Sequence, residues 1–217
     1  MSKSDTWHVL SPRLLVLNGF TVFEIRHGSE PKFEMSEMVG HIRRAVRFIK
    51  PKASDYGVNP DRMGLWGGSE SGHLSLLVGM SPEVPIDGAI QGWELNQATV
   101  AAIVAFAAPT DLARVVADNP KEREKRVVLR LSDEQYQEFS PVSYVTNGDS
   151  PTLLMHGNAD KVVPIVQGEI MFRKLQSSGV KSEYIEFEEI SHLLTIEQAQ
   201  RGVSEALKWF EKHLGSQ

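Results

Sequence analysis

The length and composition of the chain are those of one globular domain. It has 217 residues, of which 41% are hydrophobic and 24% charged, a balance typical of proteins with a sizeable buried core. With 23 basic and 28 acidic residues, the net charge of -5 gives no attraction to nucleic acid or to anionic membranes. The absence of cysteine excludes disulfides, thiolate metal sites and a cysteine nucleophile.

The hydropathy of the chain predicts a cytoplasmic protein. Residues 1–13, MSKSDTWHVLSPR, lack the apolar core of a secretory signal, and no run of about 18 apolar residues follows. This expectation assumes that Met1 is the biological start.

Strand and helix patterns alternate along the chain. Apolar runs rich in β-branched or aromatic residues predict strands, and apolar residues at helical spacing predict helices. The predicted strands are 20–25, 63–66, 100–107, 152–155 and 183–187, and the predicted helices are 36–49, 72–80, 168–178 and 203–213. Such alternation indicates an α/β fold, a mostly parallel sheet covered by helices on both faces, in one domain over residues 1–217.

The segment RMGLWGGSESGHL, at 62–74, predicts a strand, a tight turn with Ser69 at its apex, and a helix. Such a turn exposes a nucleophilic hydroxyl only if the neighbouring residues are small. The small residues here are Gly67, Gly68, Ser71 and Gly72. The helix that follows directs its free N–H groups towards the reacting oxygen.

A serine nucleophile needs a histidine to take its proton and a carboxylate to orient that histidine. Asp160 follows the apolar strand in PTLLMHGNADKVVP, and His192 follows the next strand in YIEFEEISHLL. Open parallel sheets build their sites in loops at the C-terminal ends of strands. The order Ser69, Asp160, His192 therefore predicts a catalytic triad.

Three other residues compete for these roles. His73 directly follows the turn and His156 ends a strand, and we expect both to be structural, His73 as a buried and hydrogen-bonded side chain. Ser71 is the alternative nucleophile, but only Ser69 is preceded by two glycines.

As a set, these motifs resemble the esterase/lipase branch of the α/β-hydrolase family, which includes feruloyl-esterase-like and acetyl-esterase-like enzymes. The resemblance rests on YGVNPDRMGLWGGSESGHL at 56–74, APTDL at 108–112, SPVSYV at 140–145, HGNADKVVP at 156–164 and the His192 loop. It runs from about residue 10 to the C-terminus. It implies the α/β-hydrolase fold.

Two features depart from the family pattern. The family usually has Ala-Gly after the nucleophile, whereas this chain has Glu70 and Ser71. The backbone N–H of Glu70 is still expected to bind the oxyanion, although its carboxylate would disfavour acidic substrates. The family also has a His-Gly-Gly-Gly type loop that supplies further oxyanion donors. The nearest string, His27-Gly28-Ser29, is expected to be an ordinary loop.

By resemblance, the chain begins near the first helix of the fold and lacks the first three strands, so it is N-terminally shortened. In the usual strand order the third of these lies between the fourth and fifth, so its absence would leave a gap rather than a trimmed edge, and that gap must be filled, closed or covered. One candidate is the segment 13–25, for which the family pattern favours a helix at 11–17 over a hairpin at Asn18-Gly19. The other is a second copy of the chain, which would make a homodimer.

These observations predict a serine hydrolase that cleaves small carboxylic esters through an acyl-enzyme and needs no cofactor or metal. The alternatives are a peptidase or deacetylase of the same fold, and a catalytically impaired relative that serves as a binding module. The acyl and alcohol preferences depend on pocket walls formed by 81–99 and 113–139, whose conformations the sequence does not determine.

Overall fold

A four-stranded parallel sheet forms the centre of the molecule. The computed structural model describes residues 12–29, 31–82, 92–118 and 131–215. The strands are β1 (Gly64–Gly68), β2 (Ala102–Phe106), β3 (Thr152–Gly157) and β4 (Ser182–Phe187), in the spatial order β1-β2-β3-β4. Each strand is parallel to its neighbours. The four strands predicted from 63 onwards are therefore confirmed.

Helices precede and follow the strands. They are α1 (12–17), α2 (Met35–Ile49), α3 (Glu70–Met80), α4 (Leu112–Asp118), α5 (Asp133–Glu138), α6 (Val166–Ser177) and α7 (Ile196–Leu214). Short 3₁₀ helices span Lys50–Tyr56, Gly92–Leu95 and Pro141–Tyr144. The predicted helices are present, but α7 begins earlier than its apolar pattern indicated. Thr195 and Gln198 form a capping box at its start, the signal that would have located this end.

The sheet is covered on both faces. Along β2, Ile103 and Ala105 pack with Leu76, Met171 and Leu175 from α3 and α6. The alternate residues of β2, Val104 and Phe106, pack with the side chains of α7. All five residues of β2 are buried, and fully burying a large apolar side chain stabilises the fold by roughly 1.5–3 kcal/mol. The predicted fold class is therefore confirmed.

Residues 12–25 form a helix followed by a segment without regular secondary structure. The helix ends with Gly19 at φ 86°, where its N–H donates to Val16 O at 3.1 Å. The helix was thus the right alternative to a hairpin. The strand predicted at 20–25 is wrong, because this segment pairs with none of the described strands. Its apolar pattern is satisfied by side-chain packing instead, as in the contact between the Phe20 and Phe210 rings.

β1 lies at one edge of the sheet and pairs only with β2 among the described residues. The resemblance predicted a gap inside the sheet, whereas the sheet of the described residues ends at this β1 edge, with no strand beyond it. The homodimer that would cover it stays a prediction. Within the described ranges, no helix has the length and apolar character needed to cross a membrane.

Candidate active site

Ser69 occupies a sharp turn between β1 and α3. Its backbone has φ 54° and ψ -122°, a conformation that costs a non-glycine residue free energy and is typical of a nucleophile elbow. Two hydrogen bonds hold this turn. Ser69 N–H donates to Phe106 O of β2 at 2.8 Å, and His73 N–H donates to Ser69 O at 3.0 Å. The side chain is partly exposed, so an incoming molecule can reach the hydroxyl.

The elbow requires glycine at position 67. A Cβ atom on Gly67 would lie 2.2 Å from Ser71 O and 2.6 Å from Gly72 N, which is far inside van der Waals contact. A Cβ on Gly72 would lie 3.0 Å from Gly67 O. The start of α3 therefore packs directly against the end of β1, and the expected need for small residues is confirmed at these two positions.

Asp160 lies in the loop that follows β3, with a fully buried side chain. Its Oδ1 accepts from the backbone N–H groups of Val162 at 2.8 Å and Val163 at 2.9 Å. Burial by itself would raise the pKa of Asp160, but the nearby N–H of His156 and the hydrogen bonds from His192 and from these backbone N–H groups hold it well below its usual range. The carboxylate is therefore ionised at neutral pH.

His192 connects the carboxylate to the serine. Its Nδ1 lies 2.7 Å from Asp160 Oδ2, and its Nε2 lies 2.9 Å from Ser69 Oγ. Because an ionised carboxylate only accepts, Nδ1 carries the hydrogen and Nε2 has a free lone pair for the Ser69 hydroxyl. The three residues singled out from the sequence are thus brought together in one hydrogen-bonded chain.

The loops that carry Asp160 and His192 are joined to each other. Ala159 N–H donates to Ile190 O at 3.0 Å, and Glu189 N–H donates to the side-chain oxygen of Asn158 at 2.8 Å. Asn158 also donates to Glu186 at 2.9 Å. Sequence reasoning missed Asn158, because a single polar residue in a polar loop gives no signal of its contacts.

None of the competing residues takes the position of Ser69 or His192 in this chain of hydrogen bonds. His73 is buried, its Nδ1 lies 2.9 Å from Pro109 O, and burial lowers its pKa to about 4. His156 is buried with its Nε2 2.9 Å from Val163 O. The carbonyl O of Ser71 accepts from Ser75 within α3, and the imidazole of His192 contacts Ser69 Oγ. The expected structural roles of His73 and His156 agree with this geometry.

The backbone N–H that the sequence predicts as an oxyanion donor lies at the start of α3. Glu70 is the first residue of α3, so its N–H has no partner within the helix and lies at the positive end of the helix dipole. In the loop considered as a substitute for the His-Gly-Gly-Gly type motif, Gly28 N–H donates to His41 Nδ1 at 3.1 Å. This donor is already engaged, which agrees with the ordinary loop expected there.

Two cavities of the described surface lie away from the three residues of the candidate site. One, of about 620 Å³, lies between α2 and residues 26–28 and 33, and the other, of about 810 Å³, is lined mainly by residues of α2; neither is lined by Ser69, Asp160 or His192. The walls expected at 81–99 and 113–139 are only partly described, since 83–91 and 119–130 lie outside the described residues. Among the residues that the structure describes, no cluster of three or more His, Asp or Glu side chains has the geometry of a metal site.

Known proteins are similar to this chain in sequence and in fold. The BD-FAE family model matches residues 3–175. The probable carboxylic ester hydrolase LipM of Mycobacterium tuberculosis is 29% identical over 76% of the chain and 39% of that protein. The esterase LipQ of the same organism is 26% identical over 96% of the chain and 51% of that protein. The rat acylamino-acid-releasing enzyme is 25% identical over 99% of the chain and 30% of that protein.

Among solved structures, the chain is similar to an acetyl ester-xyloside bifunctional hydrolase from Caldicellulosiruptor lactoaceticus. The TM-score is 0.79 at 22% identity, over 91% of this chain and 73% of that one. The chain thus spans about half or less of the sequence relatives named above and is shorter than this structural neighbour. Since the family model covers most of the chain, the chain belongs to the BD-FAE family, an esterase family of the α/β-hydrolase fold.

Proposed function

We propose that this protein is a serine hydrolase that cleaves small carboxylic esters through an acyl-enzyme. The observation that carries the proposal is the hydrogen-bonded chain from Ser69 through His192 to Asp160, with contacts of 2.9 and 2.7 Å. These distances match the reach of a general base to its nucleophile and of an orienting carboxylate to its base. The kinship with LipM and LipQ supports ester cleavage.

In the first half of the reaction, Ser69 Oγ attacks the carbonyl carbon of the ester while His192 Nε2 takes the hydroxyl proton. Asp160 holds the imidazole in the required tautomer and stabilises the imidazolium that forms. The negative charge on the former carbonyl oxygen is stabilised by the N–H of Glu70 and by the N-terminal end of α3. Collapse of this intermediate releases the alcohol, which receives the proton from His192.

In the second half, water replaces the alcohol. His192 takes a proton from the water as it attacks the carbonyl carbon of the acyl group on Ser69, and it returns that proton to Ser69 Oγ as the carboxylic acid leaves. Every proton transfer uses the same imidazole nitrogen, so this sequence of steps needs no cofactor.

The test is labelling of the folded protein with a fluorophosphonate probe, together with p-nitrophenyl acetate turnover. Ser69→Ala is expected to lose both. Ser71→Ala is the matched control, because it removes the competing hydroxyl two residues along the same elbow, and it is expected to keep both. Turnover that persists in Ser69→Ala would refute the proposal. No labelling of a wild-type protein that melts cooperatively would favour the impaired binding module.

The similarity to the acylamino-acid-releasing enzyme favours one further candidate, cleavage of an amide by the same residues. The elbow and the triad are compatible with either bond. A p-nitrophenyl ester and the matching p-nitroanilide, with the same acyl group, separate the two. We expect the higher kcat/KM for the ester, and a higher value for the anilide would assign the protein as an amidase.

A further inference from the structure

A second buried histidine contacts the carboxylate of the triad. His156 lies near the C-terminal end of β3 and is 1% exposed. Its Nε2 is 2.9 Å from Val163 O and 3.5 Å from Asp160 Oδ2. Because a carbonyl oxygen only accepts, Nε2 carries the hydrogen. This N–H therefore points into the turn that surrounds the carboxylate.

The contact involves the oxygen that matters most for the triad. Asp160 Oδ2 accepts from His192 at 2.7 Å, whereas Oδ1 is occupied by the N–H groups of Val162 and Val163. Val163 is held on two sides, since its N–H donates to Asp160 and its carbonyl accepts from His156. The imidazole of His156 thus closes the 160–163 turn around the carboxylate.

We propose that His156 is a positioning residue of the triad, which fixes the 160–163 turn through Val163 and moderates the negative charge on Asp160 Oδ2. A separation of 3.5 Å is too long for a strong hydrogen bond, so its effect on Oδ2 is electrostatic, and the bond to Val163 supplies the geometry. This inference rests on the proposed function of Ser69, Asp160 and His192. It gives His156 no contact with the substrate.

Gly168, Tyr184 and Glu186 also lie near the His156 imidazole, but none of these three competes with Asp160 for it. A Cβ on Gly168 of α6 would lie 3.1 Å from His156 Nδ1 and 3.2 Å from the Tyr184 hydroxyl oxygen, so Gly168 leaves the room in which both side chains sit. Burial raises the pKa of Tyr184, so its hydroxyl is neutral. Glu186, the register partner of His156 on β4, is exposed and accepts from Asn158.

The test compares two amides at position 156. In His156→Gln the side-chain nitrogen reaches the position of Nε2, whereas in His156→Asn it is too short and reaches only the position of Nδ1. Both variants bury the same functional group, so a general effect of polarity cancels between them. The rate of fluorophosphonate labelling is followed against pH, and the downfield ¹H resonance of the His192 Nδ1–H is recorded by NMR.

We expect His156→Asn to shift the acid limb of the labelling profile upward by about half a pH unit and to slow labelling near pH 7 on the order of tenfold. Without the N–H of His156 near Oδ2, the Asp160 carboxylate stabilises the imidazolium of His192 more strongly, so a higher pH is needed to free Nε2 of His192. The Nδ1–H resonance should move further downfield. His156→Gln should keep the wild-type limb and resonance.

A matched control separates positioning from general destabilisation. Thr110→Val removes another buried hydrogen bond to a backbone carbonyl, from Thr110 Oγ1 to Gln167 O at 2.6 Å, and should lower the Tm without moving the acid limb. A His156→Asn variant with the wild-type limb and resonance would overturn the inference, as would equal shifts in both amide variants. Absence of labelling in the wild type would instead refute the proposed function, and the resonance would still test His156.

Discussion

Replacing Asp160 by asparagine breaks the triad with little change in shape. The amide oxygen can still accept from Val162 and Val163, but the NH₂ group would face the Nδ1–H of His192. Two donors cannot bond, so the imidazole adopts the tautomer with hydrogen on Nε2 and can no longer accept the proton of Ser69. In a serine protease triad the same exchange lowers kcat on the order of 10⁴-fold, which corresponds to about 5.5 kcal/mol. We expect a similar loss here.

The assay is kcat for p-nitrophenyl acetate near pH 7, with the Tm measured in parallel. Asp149→Asn is the matched control, because Asp149 also closes a turn, through Thr146 N–H at 2.8 Å, but does not contact the triad. It should keep the wild-type kcat. A folded Asp160→Asn variant that retains kcat within about tenfold of the wild type would refute the tautomer argument, since the wrong tautomer cannot sustain that rate.

Three further predictions follow from the same site. Folding lowers the pKa of Asp160, so its ionised carboxylate stabilises the fold fully above the unfolded value of 3.8, and this stabilisation is lost as the pH falls below it. The Tm of the wild type should therefore fall more steeply on acidification than the Tm of Asp160→Asn. Parallel curves of Tm against pH would contradict this. In urea denaturation, Gly67→Ala should lower the free energy of unfolding by about 1–3 kcal/mol. Gly40→Ala, in open space within α2, should raise it by roughly 0.5–1 kcal/mol. A Gly67→Ala variant of wild-type stability would refute the close approach of α3 to Gly67. Glu70→Gln should raise kcat/KM for an anionic ester, relative to a neutral one, about threefold or more; an unchanged ratio would mean that this carboxylate does not face the substrate.

The parts of the fold that the sequence predicted are those fixed by local patterns. β2 is a continuous apolar run and β3 has an apolar centre, Leu153–Met155, a pattern that predicts strands buried on both faces. The strand expected at 20–25 has an equally strong pattern, but a strand also needs a hydrogen-bonding neighbour. Here the Phe20 ring packs against the ring of Phe210 on α7 instead. Residue propensity cannot distinguish these outcomes, because both bury the same apolar side chains.

The triad could be located because a parallel sheet places successive strand ends at one edge. Ser69, Asp160 and His192 each follow a strand, so their order along the chain was enough to predict that they meet. The contacts that tune them were not predictable in this way. His156 and Asn158 act across turns whose backbone path decides which atoms meet, and a carbonyl such as that of Val163 carries no mark in the sequence.

Turnover depends on how the transition state is stabilised as well as on the nucleophile. In the proposed mechanism the N–H of Glu70 at the start of α3 is one oxyanion donor, and losing a donor typically lowers kcat on the order of 10²- to 10³-fold. Labelling by a fluorophosphonate requires an activated Ser69, whereas rapid ester turnover also requires a complete set of donors. A protein that labels readily but turns over p-nitrophenyl acetate slowly would therefore have a working triad and an incomplete oxyanion site. Comparing the two assays thus separates activation of the nucleophile from stabilisation of the oxyanion.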